Sequence, residues 1–328
     1  MSYSFKNKII LVTGVGSIGS SIVRKLVEHK PKQIRCFDMS EYSLYKLQND
    51  LKKHDNIRYL VGDIRDKDRL SRSFVDVDCV IHAAALKHVS FCEYNPDEAY
   101  KTNILGTQNI VDLAREHNLE HALLISTDKA VQPTTVMGTT KLLAEKLFIN
   151  APEHSNSNKT KFTVVRFGNV FGSAGSVVET FWKKIKNKQQ VSVSDLRLVR
   201  YFMSIDQAAS LVINSIFISK GKQIFILKMK KAKIIDLAKR INFSLHGNEK
   251  VDHKVGALLP GEKLDESLCS EFEKTHLQET EQYYIISPWI NEPHYKQKTQ
   301  SQQVEFKDEM LSDLELDSLI NEWRTKNG

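Results

Sequence analysis

Short, unbroken apolar runs recur along the first half of the chain, and stretches with apolar residues at helical spacing lie between them. Residues 9–12 (Ile-Ile-Leu-Val), 33–37, 57–61, 79–81, 122–125 and 162–167 read as strands. Segments 20–29, 96–117 and 137–150 carry helical periodicity. Runs without polar alternation suit strands covered on both faces, so this order predicts an α/β fold with a Rossmann-like, doubly wound parallel sheet. From about residue 189 the alternation gives way to short strands and isolated helices, as at 205–219 and 234–241. The pattern divides the chain into a sheet domain over 1–188, a smaller and mainly substrate-binding lobe over 189–294 whose elements may interleave with it, and a tail over 295–328. The tail is polar at first and then carries a capping box, Ser312 with Glu315, before an apolar stripe of Leu316, Leu319, Ile320 and Trp323, expected to dock on its own domain. The Ser- and Asn-rich segment 152–159 reads as an exposed loop, and 173–178 as a loop over a cleft.

Chemistry concentrates where the strands end. The first run leads into Thr13-Gly14-Val15-Gly16-Ser17-Ile18-Gly19 and then a helix. Gly14, Gly16 and Gly19 form G-x-G-x-x-G, which permits a tight turn, close approach to a pyrophosphate and close helix packing, with free N–H groups at the helix start. The second strand ends in Asp38, about twenty residues on, where a carboxylate can accept from both ribose hydroxyls of an adenosine; it can equally cap the helix that follows. Asp63 and Ile64 follow the third strand, where Asp63 either meets the adenine edge or shapes a turn. Ala83, Ala84 and Ala85 follow the fourth and are small enough to pass beneath a bound cofactor, with Lys87 and His88 just beyond; for His88 alone a structural role is expected. Ser126-Thr127-Asp128-Lys129 ends the fifth, so an acid and an amine are expected side by side at the cleft, the plain alternative being a surface ion pair.

Composition changes this picture little. The 328 residues are 41% hydrophobic, ordinary for a globular protein with a sizeable core. Net charge +7 is spread among interspersed acids and bases, which argues against nucleic acid and would suit an anionic substrate. Cys36, Cys79, Cys92 and Cys269 lie far apart with no zinc spacing, so no metal is expected and a reducing cytoplasm fits. No run of about eighteen apolar residues suggests a membrane span, and the polar first residues do not resemble a signal peptide.

Taken together, T-G-x-G-x-x-G, H-A-A-A-L-K-H-V, K-T-N-I-L-G-T, S-T-D-K-A, M-G-x-x-K, V-V-R-F-G-N-V, R-Y-F-M-S and P-G-E-K resemble the extended short-chain dehydrogenase/reductase superfamily. Within it they are most similar to the UDP-N-acetylglucosamine 4,6-dehydratases of polysaccharide and nonulosonic-acid pathways. The resemblance implies NAD as cofactor, Thr127 against the sugar 4-hydroxyl, Asp128 as general acid, Lys129 as base and Lys141 on the nicotinamide ribose. Lys87, Asn103, Asn169, Arg200 and Glu262, within the matching motifs, are expected on the nucleotide sugar. A homo-oligomer, at least a dimer, is implied through helices near 96–117 and 137–150. Three features depart from the pattern: the glycine turn is one residue short, Met137 replaces the usual Tyr, and Leu258-Leu259 stand where relatives carry an Arg.

The expected reaction is an internal redox cycle in which hydride leaves C4, water is lost from C5 and C6, and hydride returns to C6. Lys129 would have to be neutral and Asp128 protonated for these roles. Two rivals remain: a nucleotide-sugar 4-epimerase, which would normally use the missing Tyr, and a catalytically silent NAD-binding sensor or assembly protein. Because a carboxylate at Asp38 repels a 2′-phosphate and no Arg follows it directly, NAD is expected to bind much more tightly than NADP. Calorimetric titration with both checks this, and equal affinity would reduce Asp38 to a cap or turn residue.

Overall fold

The computed structural model describes residues 3–151, 160–287 and 306–327. The apolar runs form β1 (Ile9–Thr13), β2 (Gln33–Asp38), β3 (Ile57–Val61), β4 (Cys79–His82), β5 (His121–Thr127) and β6 (Lys161–Phe167). These six are parallel, in the spatial order 3-2-1-4-5-6. Every residue of β1 and β4 is buried, which explains their lack of polar alternation. Successive connections run outward in opposite directions from β1 and β4, so a crevice opens at the carboxyl ends of these two strands. Five sequence-expected site segments lie at the carboxyl ends of the strands: the glycine turn after β1, Asp38 as the last residue of β2, Asp63 after β3, the alanines after β4, and Thr127 to Lys129 where β5 ends.

Beyond β6 the chain builds a smaller lobe. Strands β7 (Asn169–Val170), β9 (Val199–Met203) and β11 (Lys230–Lys233) form one sheet, and β8 (Val191–Val193) pairs with β12 (His253–Val255). Helices Val177–Lys186, Ile234–His246 and Asp313–Asn327 supply a separate core that includes Phe181, Leu237, Ile241, Leu316, Ile320 and Trp323. The tail helix thus docks on its own chain. Its capping box forms as expected, with Glu315 N–H donating to Ser312 Oγ and Ser312 N–H to Glu315 Oε2.

The packing does not divide at residue 188. Strand β10 (Gln223–Leu227) returns to pair in parallel with β6, and β14 (Tyr283–Ile286) and β13 (Leu277–Glu279) extend the main sheet antiparallel to nine strands. Conversely, β7 and helix Val177–Lys186, which precede the expected boundary, belong to the small lobe. The expected loop at 152–159, the end of the lobe from 288 and the start of the tail to 305 lie outside the described residues. Among the described residues no helix is long and apolar enough to cross a membrane.

Arg166 in β6 is fully buried and ties the sheet to segments on both sides. Its guanidinium makes paired contacts with Glu145 at 2.6 and 3.1 Å and with Glu273 at 2.9 and 3.0 Å, and donates to the Leu268 carbonyl. Burial alone would lower its pKa, but the two carboxylates more than reverse that and leave it raised. Removing one partner leaves charge buried without its full complement. Glu273→Ala is therefore expected to cost about 3–5 kcal/mol in urea unfolding; a loss below about 1 kcal/mol would show that water replaces the carboxylate.

Candidate functional site

The crevice is a trough of three adjoining cavities. The first, about 680 Å³, runs from Asp38 and Asp63 past the glycine turn to Ala83–Ala85, Lys87 and Ser173. The second, about 320 Å³, shares Ile18, Ala83, Ala85, Lys87 and Ser173 with it and is walled by Thr127, Lys129, Met137, Lys141 and Asn169. The third, about 170 Å³, shares Lys129 and Asn169 with the second and is lined by Arg200, Leu259, Glu262, Lys263 and Glu266. Lys129 and Asn169 thus stand between the last two cavities, with Lys129 Nζ 3.5 Å from Asn169 Oδ1.

Glycine is required in the first cavity for two separate reasons. Gly14 has φ +80°, and a Cβ there would lie 2.4 Å from the Ala84 nitrogen, while a Cβ on Gly19 would lie 1.9 Å from the Gly14 oxygen. Gly16 caps helix Ser17–Glu28, and a Cβ on it would meet nothing within 4 Å. The shortened turn therefore still leaves open space in front of a helix start, as a pyrophosphate needs. Asp38 does not cap the next helix, whose N-cap is Ser40; its Oδ1 accepts from Ser40 N–H at 2.8 Å and its Oδ2 from Val15 N–H at 2.6 Å. Both bonds fix the carboxylate at the rim of the trough. Partial burial pushes Asp63 up, but hydrogen bonds from Arg65 outweigh it and hold the carboxyl below its usual range. Ile64 is buried beneath Gly106, where a Cβ would come within 2.5 Å of its Cδ1. The donor set suits a dinucleotide: helix N–H groups for phosphate, a carboxylate for ribose and small residues beneath the ring system.

At the end of β5 the arrangement departs from expectation. Lys129 and Thr127 line the second cavity, but Asp128 is fully buried behind them and lines none of the three. The reason lies in the next strands: Asp128 opens a 3-10 turn, and Gly168 allows Tyr201 of β9 to pass close, so that a Cβ on Gly168 would lie 2.6 Å from the Tyr201 Cβ and 3.4 Å from Asp128 Oδ2. Asp128 Oδ1 accepts from Thr127 Oγ1 at 2.8 Å and from Lys129 Nζ at 3.0 Å, and its Oδ2 has no hydrogen-bond partner among the described residues. Acid and amine are a pair, yet of the three residues only Thr127 and Lys129 line the cavity. The burial of Asp128 also rules out a surface ion pair.

Met137 is buried, lines the second cavity and packs with Cys92 and Ala99. One turn further along, Lys141 Nζ donates to the Ile125 carbonyl at 2.7 Å. Burial lowers Lys141 to about 8, although Glu145 pulls it upward. Lys87 also lines the trough, donating to the Ala174 carbonyl at 2.6 Å, with burial lowering it and Glu179 opposing. Arg200 and Glu262, which both line the third cavity, form an ion pair at 3.5 Å, and Arg200 donates to the carbonyls of Val199 and Leu264.

Asn103 requires a correction. It was expected on the nucleotide sugar, but it is buried in a π-helical turn, Lys101–Leu105, with its side chain bonded to Leu86 N–H, the Leu86 carbonyl and Thr140 Oγ1. The wider turn rotates it under the β4 loop, which it holds in place. A buried polar chain continues from there: Thr107 donates to the Asn103 carbonyl, so it accepts from His82 Nε2, leaving Nδ1 to accept from Thr13 at 2.7 Å. Burial, and then the charge on Lys141, lower His82 to about 3, so the ring is neutral. His82 and Thr13 sat within quoted motifs, but nothing in a lone His on an apolar strand reveals this role. Glu266 was missed altogether. It is buried in the third cavity with Oε2 unpartnered by any hydrogen bond among the described residues, and burial followed by Asp128 raises it, against Lys129, Arg200 and Lys263.

Comparison with known proteins gives this geometry a context. The family model described as "Polysaccharide biosynthesis protein" matches residues 10–288. A protein of Methanocaldococcus jannaschii named as an uncharacterized membrane protein is 45% identical over 295 residues, 88% of each chain. An inverting UDP-N-acetylglucosamine 4,6-dehydratase of Campylobacter jejuni is 39% identical over 289 residues, covering 87% of this chain and 84% of its own. The X-ray structure of Pen from Bacillus thuringiensis superposes with a TM-score of 0.89 at 39% identity, over 98% of this chain and all of that one.

The depressed Lys141 makes a pH prediction. Below about pH 8 it is charged in both folded and unfolded chains, and the fold carries the cost of burying that charge. Between about 8 and the ordinary value of 10.5 the unfolded chain binds more protons than the folded one, so its contribution to stability rises with pH. The stability of the wild type relative to Lys141→Met should therefore increase from pH 7.5 to pH 10 in urea titrations. A constant difference would mean that Lys141 is not desolvated.

Proposed function

The chain belongs to the polysaccharide biosynthesis protein family, and on that footing we propose that it is an NAD-dependent nucleotide-sugar 4,6-dehydratase acting on UDP-N-acetylglucosamine. The observation that carries the reading is the Thr127–Asp128–Lys129 unit, in which two cavity-lining residues donate a hydroxyl and an amine to one buried carboxylate. Gly14, Gly16, Ser17, Ile18, Gly19, Asp38, Asp63, Ile64 and Ala83–Ala85 would hold NAD in the first cavity, with Lys141 at its nicotinamide end. Bound NAD supplies an electron sink for C4 and returns the same electrons to C6. The sugar then occupies the second cavity and the nucleotide reaches the third, against Arg200, Asn169 and Glu262.

Proton movement follows from the chain's own groups. Met137 can neither accept nor donate a proton, so the proton of the 4-hydroxyl passes to Thr127 Oγ1, whose own proton moves 2.8 Å to Asp128 Oδ1. Asp128 then holds that proton in a buried place and returns it through Thr127 to the departing 6-hydroxyl. Lys129, entering the cycle as the neutral amine and hydrogen-bonded to Asp128 Oδ1, takes the C5 proton and later gives one back to C5. Two protons are taken and two are returned, so the site ends as it began. In this reading Thr127 and Lys129 touch the sugar, and Asp128 acts through Thr127.

Incubation with UDP-N-acetylglucosamine should give a product lighter by one water, without added reductant. A product of unchanged mass would identify an epimerase, and no product from several nucleotide sugars a silent binding protein. In heavy water the wild type should place deuterium at C5. Lys129→Ala should abolish this, and Thr127→Val and Asp128→Asn should each slow water loss by about 10²-fold or more, while Met137→Leu changes it by less than about tenfold. Near-normal turnover in Lys129→Ala or Thr127→Val would refute these roles.

A further inference from the structure

Loop 171–176 leaves β7, passes over the trough and enters helix Val177–Lys186. Its Ser173 lines both the first and second cavities, so the loop stands over their junction. Ala174 N–H donates to Ser17 Oγ at 2.9 Å, and the Ala174 carbonyl accepts from Lys87 Nζ at 2.6 Å. One residue therefore ties the start of helix Ser17–Glu28 to the β4 loop, joining the two lips of the trough. Gly175, at φ +71°, lies so close to His88 that a Cβ would come within 2.9 Å of its ring.

The loop is braced from the opposite side by the last helix. Gly172, at its root, has φ +67°, and a Cβ there would lie 1.8 Å from Trp323 Cδ1, so the indole rests directly on the Gly172 backbone. Trp323 also meets Trp182 edge-on, with 5.1 Å between ring centroids, on the helix into which the loop runs. One side chain thus touches the first root of the loop and the helix into which it runs, and is itself packed in the small-lobe core beside Leu316 and Ile320.

We infer that Trp323 is a positioning residue for the cofactor: it holds loop 171–176 down so that Ala174 clasps the trough shut over a bound dinucleotide. This rests on the reading of the first two cavities as the NAD site. A left-handed glycine with no ring against it regains its freedom, and the Ala174 bonds then have to order the loop unaided. The effect falls on cofactor release, since Trp323 touches none of the reacting groups.

The test is the release of bound NADH, followed by its fluorescence, with NAD affinity from calorimetry. Trp323→Ala should speed release about tenfold, while kcat at saturating NAD stays within about twofold of the wild type. Trp323→Phe, which keeps a ring against Gly172, should restore most of the retention. Ala174→Pro removes the N–H that Ser17 accepts and leaves the last helix intact; it should speed release comparably, and the double variant should be little worse than either single one. A folded Trp323→Ala protein with wild-type release overturns the inference, as does unchanged release in Ala174→Pro, which alone decides the matter if Trp323→Ala does not fold. If the wild type itself binds neither NAD nor NADH, the NAD reading and this inference fail together; if it binds and the variants release normally, only the inference fails.

Discussion

Everything along the trough depends on backbone lying against backbone between the β1 turn and the β4 loop. Gly14 meets Ala84 with no room for a methyl group, and Gly19 meets Gly14 in the same way. This contact sets how closely the first helix approaches the sheet, and so where its free N–H groups point. The β4 loop is held from below by Asn103, which in turn continues into Thr107, His82 and Thr13 of β1. The polar chain closes a ring from β1 back to β1, and each of its members has a partner, which is the condition under which buried polar groups add rigidity instead of cost.

The main sheet was legible because its signal is local. A run such as Ile9 to Val12 needs no partner to announce that both its faces are covered, and the glycine turn and Asp38 occur at fixed offsets from such runs. The return of β10, β13 and β14 to that sheet was not legible, since these strands are short and the pairings that attach them, β10 in parallel with β6 and β14 antiparallel to β10, join segments more than fifty residues apart, with β13 following β14 as a local hairpin. The capping box at Ser312 and Glu315 was readable for the same reason that β1 was.

Within the site, residue identity was easier to read than depth. Thr127, Asp128 and Lys129 were recognisable as a unit at a strand end, but no feature of a tetrapeptide tells that β9 will cross above Gly168 and seal Asp128 from the cavity. Asn103 sits at a helical position by spacing, and spacing does not show that the β4 loop at Leu86 and Thr140 of a later helix close over its side chain. Glu266 carried no motif of its own, and its carboxyl becomes notable only once the chain folds it beside Asp128. In each case the missing information is a crossing of distant segments.

The return of β10 to β6 also bears on how the chain acquires its structure. Strand β6 carries Arg166 at the centre of the sheet, and that arginine needs Glu273 as well as Glu145, while the strand needs β10 along its edge. A chain emerging residue by residue would possess the whole glycine turn early, but would hold an open sheet edge and an incompletely compensated buried charge until its last third arrived. Such long-range closure raises the loop entropy to be overcome before native contacts form, so the main sheet is completed only after the small-lobe segments that lie between β6 and β10 in sequence.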